Sequence, residues 1–412
     1  MTEYAIAVIG GGPAGMAAAV AAWDAGCKSI AIFDREPQLG GILQQCIHNG
    51  FGLHKLGQEL TGPEYAAVYS EMVEKRGIKV YTETTVTAIT EEKEITAQNA
   101  DGILRIRADA IILAMGCRER SRGALNICGS RPAGVYSAGT AQRLINCMGY
   151  QVGKRVVILG SGDIGLIMAR RLTLEGAKVE AVCEVLPYSG GLTRNIIQCL
   201  EDFDIPLYLS TTVVKIHGDK RVEGVTLACV DENRRPIVGT ERYIPCDTLL
   251  LSVGLVPENE LTRMAGIPID PVTGGAVVDE NCQTQVPGIY ACGNVLQVHD
   301  LVDYVSQEGE RAGIAAATRR GTTQKPVLVK AGSGVRYVIP QQIRDPEETV
   351  SLFFRVAAPT GKVKLTVCDG EKLLATGNRL RTAPGEMERF TLKSGVLNGA
   401  EGPITLSLEV ME

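Results

Sequence analysis

The sequence lacks several features that would assign it to a particular class of protein. Its 12 cysteines include no Cys-x-x-Cys pair, so neighbouring residues supply neither a dithiol nor a zinc-binding pair. Its 4 histidines show no metal-ligand spacing, and we expect no metal site. No apolar run approaches the roughly 18 residues of a membrane-spanning helix. The formal net charge of -5 gives no electrostatic reason to expect nucleic acid or an anionic membrane as a partner.

The features that are present describe an ordinary globular chain. Its 412 residues are too many for one hydrophobic core, so we expect two or three domains. The opening sequence, MTEYAIAVIGGG, has no basic segment before its apolar run and predicts a strand rather than a signal peptide. The cysteines are scattered through apolar segments. This is typical of thiols that are mostly buried, reduced and inert, and it predicts a cytoplasmic location.

The order of the apolar segments indicates an α/β fold that repeats. A strand at residues 4–9, an Ala-rich helix at 13–25 and a strand at 29–33 form a βαβ unit with parallel strands. The same order returns about 150 residues later, which predicts a second Rossmann-type unit. The other predicted elements are helices at 62–76, 163–175 and 300–319 and strands at 79–82, 86–89, 95–97, 104–106, 110–113, 155–159, 178–183, 213–216, 222–230, 248–253 and 289–291.

From residue 325 onward, the pattern changes to short alternating segments separated by turn residues. These segments predict a small all-β module that resembles a sandwich. The alternative is an extended tail, which the alternation disfavours. The predicted strands of the module are residues 335–339, 350–357, 362–367, 373–375, 388–392 and 404–410.

The first glycine-rich motif, GGGPAG at residues 10–15, lies between a predicted strand and a predicted helix. Gly10 permits a tight turn, Gly12 lets the backbone approach a pyrophosphate, and Gly15 lets the helix pack on the strand. The helix N-terminus adds partial positive charge. Asp34 ends the next strand, 19 residues after Gly15, where a carboxylate accepts hydrogens from ribose hydroxyls. Together these features predict a dinucleotide site.

The second motif, GSGDIG at residues 160–165, repeats this arrangement, with Glu184 placed 19 residues after Gly165. An acid there favours a free 2′-hydroxyl over a 2′-phosphate, so NADH is preferred over NADPH. Arg194 is the nearby charge that would favour NADPH. The alternative is a second Rossmann unit that binds nothing, which the complete set of glycines and the acid disfavour.

Two such motifs in this order resemble the two-dinucleotide-binding-domain flavoproteins, which include the pyridine nucleotide-disulfide oxidoreductases and their non-disulfide relatives. The resemblance covers residues 4 to about 320. IILAMG at 111–116 and LLLSVG at 249–254 resemble the strands where the chain passes between domains, with Met115 in place of Thr. GIYACGN at 288–294 resembles the late flavin motif, with Asn294 in place of the Asp that holds the ribitol chain. An Asn still accepts one hydrogen bond.

The resemblance implies two Rossmann-like, three-layer domains followed by the β module. FAD is implied in a discontinuous domain of residues 1–120 and 255–324, NAD(P) in residues 121–254, and the module in 325–412. The residues implied for FAD are Gly10, Gly12, Pro13, Ala14, Gly15, Asp34, Arg35, Gly41, Ile42, Val86, Ala114, Met115, Gly116, Gly293, Asn294 and Val302. Those implied for the nicotinamide dinucleotide are Gly160, Gly162, Asp163, Ile164, Gly165, Glu184 and Gly254.

The late motif is followed by a helix whose start the resemblance places at the flavin. A helix beginning at Leu301 would point its N-terminus at the flavin pyrimidine and stabilise the anionic reduced flavin. His299 and Asp303 are implied to lie near the flavin edge.

The sequence departs from the disulfide reductases of this family where their chemistry occurs. Relatives of glutathione reductase carry a cysteine pair after the second strand, whereas GGILQQCIHNG at residues 40–50 holds Cys46 alone. That stretch, CEVLPYSGGLTRN at 183–195 and CGN at 292–294 followed by HDLVD at 299–303 resemble a narrower subgroup. It comprises flavoprotein companions of glycerol-3-phosphate, amine and opine dehydrogenases, which implies a partner dehydrogenase chain and a possible hetero-oligomer.

Cys46 and His48 are the candidate catalytic residues. One hypothesis makes Cys46 a thiolate or charge-transfer donor beside the flavin, with His48 as its cation, and the other makes both residues loop packing. Three functions stay open. They are an NADH:acceptor oxidoreductase, an electron-transfer and docking subunit of a partner dehydrogenase, and a disulfide reductase that uses distant cysteines.

Overall fold

The computed structural model describes residues 2–318, 326–400 and 402–411. The chain divides into two compact units, Met1–Cys117 with Pro257–Glu412, and Arg118–Val256. The predicted boundary between residues 324 and 325 lies outside the described residues.

The first unit is built around a parallel sheet whose strands alternate in chain order with helices. Its strands are β1 (Thr2–Ile9), β2 (Ile30–Phe33), β3 (Asn49–Phe51), β4 (Leu60–Thr61), β5 (Lys79–Tyr81), β6 (Thr85–Ile89), β7 (Glu94–Asn99), β8 (Gly102–Leu113) and β20 (Ile289–Ala291). Its helices are α1 (Pro13–Asp24), α2 (Gly62–Lys75), α6 (Glu260–Met264) and α7 (Val302–Thr318), with 3₁₀ turns at Gly41–Gln45 and Gly293–Val295.

Strands β5, β2, β1, β8 and β20 lie side by side and parallel, while β6, β7 and the start of β8 form an antiparallel meander. Successive strand residues face opposite sides of a sheet. Ile6 and Val8 of β1 therefore join the buried cluster formed with α1, α2 and α7. Ala7 and Ile9 join a second buried cluster with the meander. The result is three layers, with the glycine turn after β1 at the carboxyl ends of the strands.

The second unit repeats this construction. Its strands are β10 (Cys128–Gly129), β11 (Val135–Ser137), β12 (Arg155–Leu159), β13 (Lys178–Cys183), β14 (Leu207–Tyr208), β15 (Thr211–His217), β16 (Gly224–Cys229), β17 (Arg242–Ile244) and β18 (Thr248–Leu251). Its helices are α3 (Ala138–Asn146), α4 (Asp163–Leu174) and α5 (Thr193–Cys199), with 3₁₀ turns at Arg122–Ala124 and Glu201–Phe203. Strands β9 (Cys117–Glu119) and β19 (Leu255–Pro257) lie where the chain passes between the units.

The parallel sheet of the second unit has the order β11-β18-β12-β13-β14, and a separate sheet has the order β10-β15-β16-β17. Val156 and Ile158 pack against the helices, whereas Val157 and Leu159 pack against the second sheet. The alternation of residue faces in β12 thus matches that in β1, and the same three layers result.

The C-terminal β module forms two facing sheets with the orders β23-β21-β28-β25-β26 and β22-β24-β27. Its strands are β21 (Val327–Ala331), β22 (Val335–Ile339), β23 (Gln342–Ile343), β24 (Val350–Val356), β25 (Val363–Asp369), β26 (Lys372–Arg379), β27 (Glu388–Leu392) and β28 (Ile404–Val410). Apolar residues of both sheets, among them Leu352, Phe354, Leu365 and Leu406, form its core. The predicted mixed α/β fold with a sandwich-like module is confirmed.

Several details differ from the sequence predictions. The segments expected as strands 104–106 and 110–113 are one continuous strand, β8, because its first half pairs with β7 and its last residues pair with β20. The last helix begins at Val302, not at residue 300, and its expected end at residue 319 lies outside the described residues. The sequence did not predict helices α3, α5 and α6.

The expectation that most cysteines are buried is wrong. Of the 12 cysteines, 5 are buried, 4 are half-buried and 3 are exposed. Burial raises the pKa of Cys282 to about 11 and that of Cys246 to about 12, so the buried thiols are poor nucleophiles. Among the described residues, no helix is both long and apolar enough to cross a bilayer.

Candidate functional site

Two glycines of the first turn are required by the fold itself. Gly10 has φ +105°, and a Cβ there would lie 2.3 Å from the carbonyl oxygen of Ala114. A Cβ on Gly15 would lie 1.8 Å from the carbonyl oxygen of Gly10. Gly12 differs, since a Cβ there would meet no heavy atom within 4 Å. The fold therefore leaves space beside Gly12, at the N-cap of α1, where a phosphate would approach.

Asp34 lies directly beside this turn. Its carboxylate accepts the N–H of Gly11 at 2.5 Å and the N–H of Glu36 at 2.8 Å, and the side chain is buried. The carbonyl of Asp34 accepts the N–H of Thr84, which brings the start of β6 next to the acid. Val86, two residues further along, is half-buried in β6, whereas Arg35 is exposed.

Residues far apart in sequence complete the walls of this site. A Cβ on Gly41 would lie 3.2 Å from the Cα of Gly12, and the N–H of Gly40 donates to the carbonyl of Gly11 at 2.8 Å. Ile42, which follows, is 57% exposed. On another side, the N–H of Ala114 donates to the carbonyl of Ile9. Met115 and Gly116 then lead out of β8.

The late motif is held against the same turn. A Cβ on Gly293 would lie 2.7 Å from the Cβ of Ala14, and a Cβ on Gly309 of α7 would lie 2.3 Å from the Ala14 carbonyl oxygen. Asn294 follows in a 3₁₀ turn. Its Oδ1 accepts the N–H of His299 at 3.0 Å, and its Nδ2 donates to the Cys117 Sγ at 3.6 Å. Small residues thus allow α7 and the late motif to pack on α1.

The buried carboxylate of Glu308 in α7 holds the late motif through three hydrogen bonds. It accepts the N–H of Gly293 at 2.7 Å, the Gln297 Nε2 at 2.9 Å and the His299 Nε2 at 3.1 Å. Burial alone would raise the pKa of Glu308, but the charges of His299 and Arg311 and the hydrogen bonds from His299 and Gln297 outweigh it and lower this pKa. Glu308 therefore stays an acceptor and fixes the backbone before Asn294.

Cys46 and His48 are placed on the loop after the 3₁₀ turn, but the hydrogen bonds seen for them point to different partners. The Cys46 thiol donates to the carbonyl of Ile42 at 3.3 Å. The His48 Nδ1 lies 3.0 Å from the carbonyl oxygen of Asn49, and its ring packs on Phe51 with centroids 5.0 Å apart. Both residues are half-buried.

The second glycine turn has the same geometry as the first. Gly160 has φ +101°, and a Cβ there would lie 2.0 Å from the carbonyl oxygen of Ser252. A Cβ on Gly165 would lie 2.6 Å from the carbonyl oxygen of Gly160. A Cβ on Gly162, the N-cap of α4, would approach no atom closer than the Ser252 Oγ at 3.9 Å. The middle glycine again faces open space.

The acid of the second turn is Glu184, which is also buried. Its Oε2 accepts both the N–H and the hydroxyl of Ser161, at 2.9 and 2.8 Å, and its Oε1 accepts the N–H of Leu186 at 3.0 Å. Sequence analysis identified the acid but not the role of Ser161. The signal was the serine at the position that Gly11 occupies in the first turn.

Asp163, at the start of α4, binds the chain that follows Glu184. Its Oδ1 accepts the N–H of Leu192 at 2.8 Å and the Asn195 Nδ2 at 2.7 Å. Ile164 follows in the helix and is half-buried, while Arg194 and Gly254 are exposed. In the described part of the chain, the exposed Arg194 forms no hydrogen bond or ion pair with the residues of this turn.

Comparison with known proteins decides the classification. The family model described as pyridine nucleotide-disulphide oxidoreductase matches residues 4–319. The chain belongs to this family. It is therefore an oxidoreductase of the class that binds FAD and a pyridine nucleotide, and the resemblance seen in the sequence is confirmed.

Individual relatives are distant. The small chain of glutamate synthase [NADPH] from Escherichia coli is 26% identical over 76% of this chain and 67% of its own length. An opine oxidase component from Agrobacterium tumefaciens is 25% identical over 71% of this chain and 61% of its own length. The chain thus spans about three fifths of that opine oxidase component. The ferredoxin reductase component of chlorobenzene dioxygenase from Cupriavidus is 28% identical over 68% of this chain and 70% of its own length.

Solved structures show the same fold. Thioredoxin reductase from T. acidophilum superposes with a TM-score of 0.64 at 24% identity, covering 77% of this chain and 99% of that chain. The NAD-dependent persulfide reductase from A. fulgidus superposes with a TM-score of 0.59 at 21% identity, covering 88% of this chain and 67% of that chain. These likenesses establish the architecture.

Proposed function

We propose that the chain is an FAD-dependent oxidoreductase that takes electrons from NADH and delivers them to an acceptor or to a partner dehydrogenase. The observation that carries the proposal is the pair of glycine turns. Each has two glycines required by packing, a middle glycine that faces open space, and a buried acid beside the turn. This combination suits a dinucleotide, whose pyrophosphate needs close backbone approach and whose ribose needs an acceptor.

We assign FAD to the first turn. Gly12 and the N-terminus of α1 would receive the pyrophosphate, and Asp34 would receive the adenosine ribose. Gly41, Ala114–Gly116 and Gly293–Asn294 would line the same site, and Val302 would begin the helix directed at the flavin. Asn294 already uses its Oδ1 for the N–H of His299, so its amide group is fixed in place before any ligand binds.

We assign NADH to the second turn. Glu184 would receive a ribose hydroxyl at its remaining acceptor position, and a 2′-phosphate would meet its negative charge. Arg194 is exposed and forms no ion pair with Glu184 in the described part of the chain, so it does not neutralise the acid there. The chemistry supplied by the bound cofactors is hydride exchange between nicotinamide and flavin, followed by electron release to an acceptor.

The final acceptor is the part of the proposal that concerns partners. Two relatives are named as parts of larger enzymes, the opine oxidase component and the ferredoxin reductase component of chlorobenzene dioxygenase. This favours a second candidate function, an electron-transfer chain whose organic substrate is handled by another polypeptide. Native purification distinguishes the two. A stable complex with a second dehydrogenase chain supports the electron-transfer role, and full turnover by the isolated chain supports the independent enzyme.

The proposed roles of Cys46 and His48 can be tested separately. If the thiol is redox-active, Cys46→Ser abolishes reduction of disulfide substrates while flavin binding persists. Unchanged activity toward every acceptor would assign Cys46 to loop packing through its bond to Ile42. A disulfide reductase built on the buried cysteines is disfavoured, because burial raises the pKa of Cys282 to about 11.

The direct test of the proposed function is anaerobic addition of NADH to the purified, FAD-loaded protein. We expect NADH to remove the visible absorption of the flavin. At the same concentration, NADPH should reduce the flavin at least about tenfold more slowly. A flavin that binds but is reduced only by NADPH would contradict the assignment of Glu184.

A further inference from the structure

Within the first unit, the C-terminal module contacts the segment that leads into α7. Arg355 of β24 donates from its Nη2 to the Val298 carbonyl at 3.0 Å, and the same atom lies 3.4 Å from the Asp300 Oδ1. Its Nη1 donates to the carbonyl of Pro384 within the module at 3.0 Å. The side chains of Arg355 and Asp300 are 12% and 8% exposed. This is a largely desolvated ion pair that joins the module to the 298–300 segment.

The other oxygen of the Asp300 carboxylate is also held by the module. Its Oδ2 accepts the N–H of Met387 at 3.3 Å. Without Arg355, a shielded carboxylate would keep one main-chain donor from the module and lose its countercharge. Removing one partner of a buried ion pair is more damaging than replacing both, because the remaining charge is left uncompensated.

The residues on either side of Asp300 connect this ion pair to the proposed flavin site. His299 donates its N–H to Asn294, and its Nε2 lies 3.1 Å from the Glu308 carboxylate. The carbonyl of Leu301 accepts the N–H groups of Tyr304 and Val305 and so begins α7. Asp300 therefore stands between the residue that orients Asn294 and the residue that starts the helix.

The module is attached to the rest of the first unit by other contacts as well. Glu280 accepts the N–H groups of Arg344 and Asp345, both at 2.9 Å. Tyr337 and Ile339 pack in a buried cluster with Ile289 of β20. Attachment of the module therefore does not depend on Arg355 alone. The Arg355 contact instead determines the position of the 298–300 segment.

We propose that Arg355 is a positioning residue for the flavin and that the C-terminal module is a working part of the flavin site. This inference depends on the proposed binding of FAD to the first unit. Through Asp300, the module fixes the segment that sets both the Asn294 amide and the N-terminus of α7. When this segment is loosened, the ribityl contact weakens and the partial positive charge of the helix is less well directed at the reduced flavin.

The experiment compares the full-length parent protein with Arg355→Met and Arg355→Lys, all prepared without flavin and titrated with FAD. We expect Arg355→Met to bind FAD at least about tenfold more weakly, and its flavin midpoint potential to be more negative. Arg355→Lys restores the charge and should recover part of both values. Equal affinity and equal potential in the parent and the Met variant would overturn the inference.

A matched control lies in the same module. Arg379 pairs with Glu388 at 2.7 Å on β26 and β27, and none of its hydrogen bonds in the described residues reaches the 298–300 segment. Arg379→Met should weaken the module while leaving FAD affinity and potential unchanged. If Arg355→Met and Arg379→Met lost FAD affinity equally, Arg355 would contribute only to the general stability of the module. That result would overturn the inference.

Two further outcomes are separable. If Arg355→Met does not fold, Asp300→Asn provides the same test, because its amide oxygen still accepts the N–H of Met387 while the charge is removed. Unchanged FAD affinity and potential in a folded Asp300→Asn protein would then refute the inference. If the parent protein binds no FAD, the proposed function itself fails, whereas a parent that binds FAD with unaffected variants refutes the positioning role alone.

Discussion

The first and second glycine turns have nearly the same backbone but differ in what surrounds it. Asp34 uses two of the roughly four acceptor positions of a carboxylate, for Gly11 and Glu36, whereas Glu184 uses three, two for Ser161 and one for Leu186. The first turn therefore leaves more of its acid for a ribose. This difference supports a firmly held cofactor in the first unit and an exchangeable one in the second.

Charge at the helix N-termini favours the same conclusion. Helix α1 begins with Pro13 and has no acidic residue in its first turn, whereas α4 begins with Asp163. A carboxylate at this position opposes a pyrophosphate that approaches the helix N-terminus. Under the proposed assignment, the same fold used twice would hold a resident flavin in one unit and a nicotinamide substrate that leaves after each turnover in the other.

The largest expected effect comes from the third glycine of each turn. Gly15→Ala should destabilise the first unit by about 3 kcal/mol and prevent flavin binding, because a Cβ would lie 1.8 Å from a carbonyl oxygen. The gain in helix propensity, about 1 kcal/mol, does not offset this clash. Gly165→Ala should cost less, about 2 kcal/mol, since its nearest contact is 2.6 Å. Denaturant unfolding measures both, and equal losses would show that the two turns are equally tight.

The next effect separates ligand from fold at Gly12. Gly12→Ala should leave thermal stability nearly unchanged, because the added Cβ meets no atom within 4 Å, yet it should weaken FAD binding at least about tenfold. Gly361→Ala in the C-terminal module, where a Cβ also meets no atom within 4 Å, is the control. Normal flavin affinity in Gly12→Ala would mean that the open side of this glycine does not receive the pyrophosphate.

A more selective effect is expected at Glu184. Glu184→Ala should lower kcat/KM for NADH about tenfold, because a ribose acceptor is lost, and should raise that for NADPH, because the negative charge that opposes a 2′-phosphate is removed. FAD content should not change, since Asp34 serves the other site. A parent enzyme that already uses NADPH better than NADH would contradict the role given to this acid.

The smallest expected effect is at Asp163. Asp163→Asn keeps an oxygen for the N–H of Leu192 and the Asn195 amide but removes the charge from the α4 N-terminus. We expect NADH to bind about threefold more tightly, which corresponds to the usual size of helix-terminus charge effects. Weaker NADH binding in a folded variant would show that the carboxylate contributes directly to the nucleotide site.

The sequence predicts the structure best where local geometry dictates the residue type. Gly10 and Gly15 are glycines because a Cβ would collide with a backbone carbonyl a few residues or one strand away, and such positions recur at fixed spacing. The acids at the ends of β2 and β13 follow from the same local unit. The two turns and the mixed α/β fold could therefore be predicted.

Sequence analysis was least successful for contacts that only the fold creates. Cys117 and Asn294 lie 177 residues apart in sequence, and Glu308 lies 15 residues from Gly293. No spacing pattern in the sequence predicts either contact. Strand β8 was divided in two because alternating small and charged residues around Ala108 interrupt its apolar run. The contact of Arg355 with Asp300 likewise depends on how the module packs, which the alternation of its strands does not specify.

The most direct test of the two-site account is the flavin content of purified, folded protein before and after anaerobic NADH. The account predicts one tightly bound FAD per chain that survives gel filtration and loses its visible absorption when NADH is added. A folded protein that stays colourless after incubation with excess FAD would contradict it.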